Sequence, residues 1–202
     1  YCNSTCQHDH WRRGHKQICK KIHRGGNAEQ YHANKKYKEA LAVVVEACAG
    51  DAKGQTCYIC LEAVHPSTGE GLVRGCGCQG DQGFAHVSCL VRQDEVSLED
   101  SKRQDPIVGL VAKHKTEESL AEGVLDTLED RYKSGLSCKL CKKQHNAIIL
   151  HALGWGHWQR CASKAEQPLT EDYTQISAAL TYLGVCLAES GRMTEAMKVG
   201  EA

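Results

Sequence analysis

Apolar positions along the chain recur in segments of helical period, separated by short runs of turn residues. Between Asn27 and Ala49, Leu41, Val44, Val45 and Cys48 follow one another at three- and four-residue steps and predict one apolar helix face. Asn27 offers a start cap, and Gly50 with Asp51 a stop. Residues 61–74 then form a loop, in which His65 to Gly71 (HPSTGEG) is turn chemistry and Leu72-Val73-Arg74 suits a short strand. A long segment after Cys89 reads as helical at both ends. His86 to Val96 is one helix, and Thr116 to Lys133 is another with Leu120, Val124, Leu125 and Leu128 on one face, Thr116 and Ser119 as caps and Gly135 as a stop. The polar link between them, SLEDSKRQDPIVG, is broken by Pro106, which predicts a helical hairpin standing off the rest. Ala147 to Cys161 is an apolar helix in which Ile148, Leu150, Leu153, Trp155 and Trp158 are the expected packing residues. Pro168 separates it from a last helical segment over 170–202, with a turn at Gly191.

Composition narrows this picture. In 202 residues the apolar supply is spread over alanine, valine and leucine, with only 5% aromatics and a negative mean hydropathy, so small modules joined by helices are expected rather than one large core. No stretch approaches the roughly 18 consecutive apolar residues of a membrane span. Formal net charge is zero, which leaves the chain without an electrostatic footprint for nucleic acid. The basic run from Arg12 to Arg24 reads as a solvated helix face.

Thirteen cysteines replace the missing core, and most of them sit at metal spacing. No signal peptide precedes them, so the expectation is a reducing, intracellular compartment, cytoplasmic or nuclear. Four pairs carry the chemistry: Cys57-x2-Cys60, Cys76-x-Cys78, His86-x2-Cys89 and Cys138-x2-Cys141. Two thiolates one or two residues apart can fold back on a tight turn and reach one zinc at about 2.3 Å, and an imidazole makes the same bond at about 2.0 to 2.1 Å. Eight ligands complete two tetrahedral sites and leave no position for a reacting water. Glycines at 75, 77, 80 and 83 fit backbone wrapped round a metal.

The ligand order, with one residue between Cys76 and Cys78 and seven between Cys78 and His86, resembles a RING-CH (RING-variant) finger, as do CYICLE at 57–62, GCGC at 75–78 and HVSCL at 86–90. A PHD finger shares the order but has wider spacing at the second pair and a shorter gap before the histidine. The resemblance implies a cross-brace in which Cys57, Cys60, His86 and Cys89 hold one zinc while Cys76, Cys78, Cys138 and Cys141 hold the other. The fold class expected is mostly α with a small zinc-stabilised α+β module, a RING-like cross-brace flanked by helices. Many members of the family are ubiquitin ligases. By resemblance, Ile59 and Leu140 would contact a ubiquitin-conjugating enzyme, and Lys142 with Lys143 stands where many active ligases place a basic residue. This sequence departs from the family in the long gap from Cys89 to Cys138, in having no tryptophan within it, for which Tyr132 is the candidate substitute, and in lacking a proline beside the last pair.

At the two ends the resemblances are to other modules. Cys2-x3-Cys6-x8-His15-x3-Cys19, with Gln7 and Trp11, is similar to the second half of a MYND zinc finger, in which Cys2 and Cys6 complete one site and His15 and Cys19 another. The upstream cysteines of that finger are absent, so the sequence is read as starting inside it. The four residues could instead close on one zinc. Leu183, Gly184, Gly191, Glu195 and Ala196 resemble the first helix pair of a tetratricopeptide repeat, and small residues there would let two helices cross closely. The expected organisation is a partial MYND-type finger at 1–24, a helical linker at 25–52, a RING-CH-like finger at 53–146 with an insertion at about 91–136, a packing helix at 147–166 and a partial repeat at 167–202.

Two functions follow as expectations. One is a zinc-binding ubiquitin ligase module that recruits a conjugating enzyme; the other is a noncatalytic scaffold whose finger and helices bind protein or peptide partners. A metallohydrolase is disfavoured, because the thiolate-rich sites are fully coordinated and have no free carboxylate pair beside them.

Overall fold

The computed structural model describes residues 12, 16–24, 28–104, 135–164 and 172–200. Within these the protein is mostly helical. Its helices are α1 (Lys16–Arg24), α2 (Ala28–Cys48), α3 (Val87–Gln104), α4 (Ala147–Lys164), α5 (Asp172–Glu189) and α6 (Met193–Gly200). Extended pairing among the described residues is limited to two antiparallel bridges, Val73 with Ala85 and Ser137 with Gln144. The strand expected at 72–74 is thus a single bridge. The expected cap Asn27, the helix at 116–133 and Tyr132 lie outside the described residues. None of the described helices is long and apolar enough to cross a membrane.

Helix α4 is the centre of the bundle, packed against α2, α3 and α5, while α6 packs on α5. Its sequence Gly154-Trp155-Gly156 explains the close approach on two sides. A Cβ at Gly154 would lie 2.8 Å from the Cβ of Cys186 on α5, and one at Gly156 would lie 2.9 Å from Val91 on α3 and 3.1 Å from the Tyr37 ring on α2. Two cores result. The larger joins Tyr37, Ala40 and Val44 of α2, Leu72, Val73, Phe84 and Ala85 of the zinc loops, Val87, Leu90 and Val91 of α3, and Ile149, Ala152 and Leu153 of α4. The smaller joins Leu136, Leu150, Tyr182 and Cys186. Full burial of side chains such as Phe84, Ile149 and Leu153 contributes about 1.5–3 kcal/mol each.

Four sequence expectations are corrected by the structure. On α2 the buried face is Ala33, Tyr37, Ala40 and Val44, while Leu41, Val45 and Cys48 are only partly covered at its flank. On α4 it is Ile149 that enters the core, and Ile148 remains 41% exposed. The segment from Ser97, expected as a polar link, continues α3 as far as Gln104. Nothing in it breaks a helix before Pro106, a residue type that disfavours helical backbone at the position preceding it. Gly191 does turn the chain between α5 and α6, at φ +76°, but a Cβ at Gly184 would meet nothing within 4 Å, so no close crossing depends on that glycine.

Candidate metal centre

The two Cys-x2-Cys pairs fold alike. In the first, the Leu61 amide donates to the Cys57 carbonyl at 2.8 Å and the Cys57 amide donates to the Glu62 carbonyl at 3.0 Å. In the second, Lys142 donates to Cys138 and Cys138 donates to the Lys143 carbonyl, both at 2.9 Å. Each knuckle closes through a non-glycine residue with positive φ, Leu61 at 66° and Lys142 at 60°. Such backbone costs of order 1 kcal/mol or more and persists where its surroundings impose it.

The other two pairs come from the loop between the bridged residues Val73 and Ala85 and from the start of α3. Cys76 and Cys78 lie on that loop. Arg74 steadies it by donating to the Gly80 carbonyl while stacking on the Phe84 ring at 4.2 Å. Asn146 ties the same loop to α4: its amide donates to the Gly75 carbonyl, and its Oδ1 accepts from the Ile149 amide as a helix cap. His86 stands immediately before α3 and Cys89 on its first turn, with the His86 carbonyl accepting from Leu90 at 3.1 Å.

The fold brings these pairs together as two groups, Cys57, Cys60, His86 and Cys89, and Cys76, Cys78, Cys138 and Cys141, with all ligand atoms of each group within 4.8 Å of one another. A zinc tetrahedron with Zn–S of about 2.3 Å and Zn–N of about 2.0 Å has edges of about 3.8 Å between sulfurs and about 3.5 Å between sulfur and nitrogen. His86 Nδ1 lies 3.3 Å from Cys60 Sγ and 3.7 Å from Cys89 Sγ, and Cys78 Sγ lies 3.8 Å from Cys138 Sγ. The donor sets therefore fit two zinc ions. Gly83 adds a steric test: at φ +81° its missing Cβ would sit 2.7 Å from Cys78 Cβ and 3.1 Å from Cys76 Sγ, so the second site closes only over a glycine. No cysteine among the described residues is in a disulfide.

The electrostatics of the thiols explain why these sites want a cation. Burial pushes the Cys76, Cys78 and Cys89 thiols up; neighbouring sulfurs add to this at Cys78 and Cys89, while at Cys76 the contact with Cys78 opposes it and that with Cys138 reinforces it. For Cys57, burial is outweighed by hydrogen bonds from the backbone of Cys60, His86 and Ile59, and the net shift is down. The backbone of Lys143 lowers Cys141 to about 7. The Cys57 thiolate in one cluster and the Cys141 thiolate in the other are thus favoured, while Cys76, Cys78 and Cys89 resist ionisation. A divalent cation reverses the resistance by neutralising the charge that opposes ionisation.

Around the ligands lies a shell with no motif in the sequence. Asp94 of α3, 7% exposed, pairs through Oδ1 with Lys139 Nζ of the second knuckle at 3.1 Å, and its Oδ2 lies 3.5 Å from His157 Nε2 of α4. His65, which reads as a solvated histidine in the sequence, is half-buried and meets the His86 ring edge-on at 5.2 Å. Asp94 did leave one signal, since it continues the apolar stripe Val87, Leu90, Val91 of its helix, where a carboxylate needs a buried partner. Of the residues considered at the N-terminus, Cys2, Cys6 and His15 lie outside the described residues, and Cys19 on α1 joins neither cluster.

His145 shares this polar layer. Burial lowers its pKa, with Asp94 opposing and Lys139 reinforcing the shift. The unfolded chain, titrating near 6.5, takes up the proton first, so the stability tied to neutral His145 is complete above about 6.5 and is lost as pH falls through the lower folded value. The melting temperature is expected to fall from pH 7 to pH 5.5, and His145→Leu to flatten part of that slope. Parallel metal analysis at each pH separates this from zinc release by protons. Equal slopes would remove His145 from the account.

Eight cysteine and histidine ligands on two like knuckles, one loop and one helix turn define a two-zinc binding module. Within it, residues 57–95 match the sequence model of the RING-variant domain family, and the chain carries such a domain there. The match ends before Cys138 and Cys141, and the fold brings these two, as the spacing predicted, to Cys76 and Cys78. Neither the curated proteins nor the solved structures contain a match to the chain.

Proposed function

We propose that this module is a ubiquitin ligase element that recruits a ubiquitin-conjugating enzyme charged with ubiquitin and holds the thioester in a reactive pose. Its contribution is positioning. The zinc ions are structural, because all four ligand places of each site are taken by protein atoms. The observation that supports the reading best is the matched geometry of the two knuckles, which places Ile59 and Leu140 at equivalent positions, two residues after Cys57 and Cys138. Leu140 is 49% exposed, and Leu61 and Val64 beside the first knuckle are also open to solvent. Lys142, held at positive φ directly after the last ligand, is the residue proposed to meet ubiquitin and the conjugating enzyme together. Cys57, Cys60, His86 and Cys89 for the first zinc, and Cys76, Cys78, Cys138 and Cys141 for the second, are the proposed ligands.

A noncatalytic scaffold is the second reading. It is favoured by the open groove of about 500 Å³ between α2 and α4, lined by Ala28, His32, Ala33, Lys36, Trp155 and Trp158, where both tryptophans of the described residues lie. Ubiquitin discharge from a panel of charged conjugating enzymes discriminates the two. Zinc-loaded protein is expected to accelerate discharge, and Ile59→Ala to reduce the acceleration about tenfold, as loss of one apolar anchor worth about 1.4 kcal/mol implies. A folded, two-zinc protein with no effect on any enzyme of the panel would leave the scaffold.

A further inference from the structure

Glu70 stands in the turn-like loop His65–Gly71, yet it is only 5% exposed and both of its carboxylate oxygens are engaged. Oε1 accepts from the Tyr37 hydroxyl of α2 at 2.8 Å, and Oε2 accepts from the Ser88 amide at 3.0 Å. Ser88 lies between His86 and Cys89, so this second bond fixes the start of α3, with one ligand of the first site just before the helix and another on its first turn. A carboxylate is well placed there, at a helix N-terminus whose amides lack intrahelical partners. The Glu70 carbonyl also accepts from the His65 amide at 3.0 Å, which holds the loop whose His65 ring abuts His86. Tyr37 cannot swing away, because Gly156 of α4 brings that helix against its ring.

We propose that Glu70 is a positioning residue for the zinc held by Cys57, Cys60, His86 and Cys89, and that Tyr37 places helix α2, outside the 57–95 segment, in control of that one site. The second site has other supports: Arg74 and Asn146 on the Cys76–Cys78 loop and Asp94 on the second knuckle. Displacing α2 should therefore loosen one metal and spare the other. The proposal needs only zinc binding, and stands whether or not the module is a ligase.

The test uses the full chain loaded with cobalt(II), whose absorption distinguishes a three-cysteine, one-histidine site from a four-cysteine site, and follows loss of each band to a chelator. Glu70→Gln is expected to speed loss from the histidine-containing site about 10- to 100-fold, the usual effect of removing an outer-shell partner, and to leave the four-cysteine site within about twofold. Tyr37→Phe, which keeps the ring and removes only the hydroxyl, should act in the same direction by about threefold, within the range expected of one lost hydrogen bond. It carries the test alone if Glu70→Gln does not fold. Leu183→Ala on α5 is the comparison for general loosening and should show no preference between the sites. Equal acceleration of both bands by Tyr37→Phe, or no acceleration, overturns the proposal.

Discussion

Replacing Cys76 with serine is expected to reduce bound zinc from two ions to one and to abolish the cooperative melt of the module. A hydroxyl does not ionise in this range and is a poor zinc ligand, so the second site falls to three donors. Structural zinc supplies about 10–16 kcal/mol in small finger peptides, against about 5–15 kcal/mol of net stability for a whole domain. Metal and core also share residues here: Cys57 and Cys89 belong to the larger apolar cluster, and Phe84 and Ala85 lead directly into His86. Removing the metal therefore removes packing with it. Zinc analysis by mass spectrometry and a calorimetric scan check both parts. A Cys76→Ser protein that keeps two ions and a cooperative transition would overturn the cross-brace.

Asp94→Ala is expected to cost about 3–5 kcal/mol in urea unfolding, the effect of removing one partner from a buried charge cluster. Lys139 and His157 have side chains only 22% and 11% exposed, so the lysine left behind is poorly hydrated. The loss should be accompanied by weaker zinc retention at the second site, because Lys139 lies between Cys138 and Leu140 on its knuckle. The pair Asp94→Leu with Lys139→Met should recover most of the stability, since replacing both members by apolar residues removes the unpaired charge. A loss below about 1 kcal/mol for Asp94→Ala would show that water, rather than protein, satisfies the cluster. The Asp94 contacts also matter for connectivity, since they join α3 to a knuckle that lies 45 residues further along the chain. Local chain geometry cannot set that spacing.

The eight zinc ligands were legible in the sequence because each pair is a local object. Spacing of one or two residues fixes which thiols can share a metal, and the knuckle hydrogen bonds form within six residues. The helices were legible for a similar reason, since a 3.6-residue period and its breakers act over one or two turns. Their faces were not. Leu41, Val45 and Cys48 are as apolar as the residues that α2 buries, and Ile148 is the equal of Ile149. Only the approach of α4 through Gly154 and Gly156 decided which of them entered the core.

Glu70 was hidden for the opposite reason. A glutamate between Gly69 and Gly71 reads as a solvated turn, and nothing near it in sequence announces Tyr37, 33 residues earlier, or the Ser88 amide, 18 residues later. By itself, then, the sequence determined the metal, its ligand types and the presence of the helices, which rest on bonds between near neighbours. The tertiary structure alone decided which helix faces are buried and which distant side chains steady the ligands, because these depend on segments that meet only after the chain has folded.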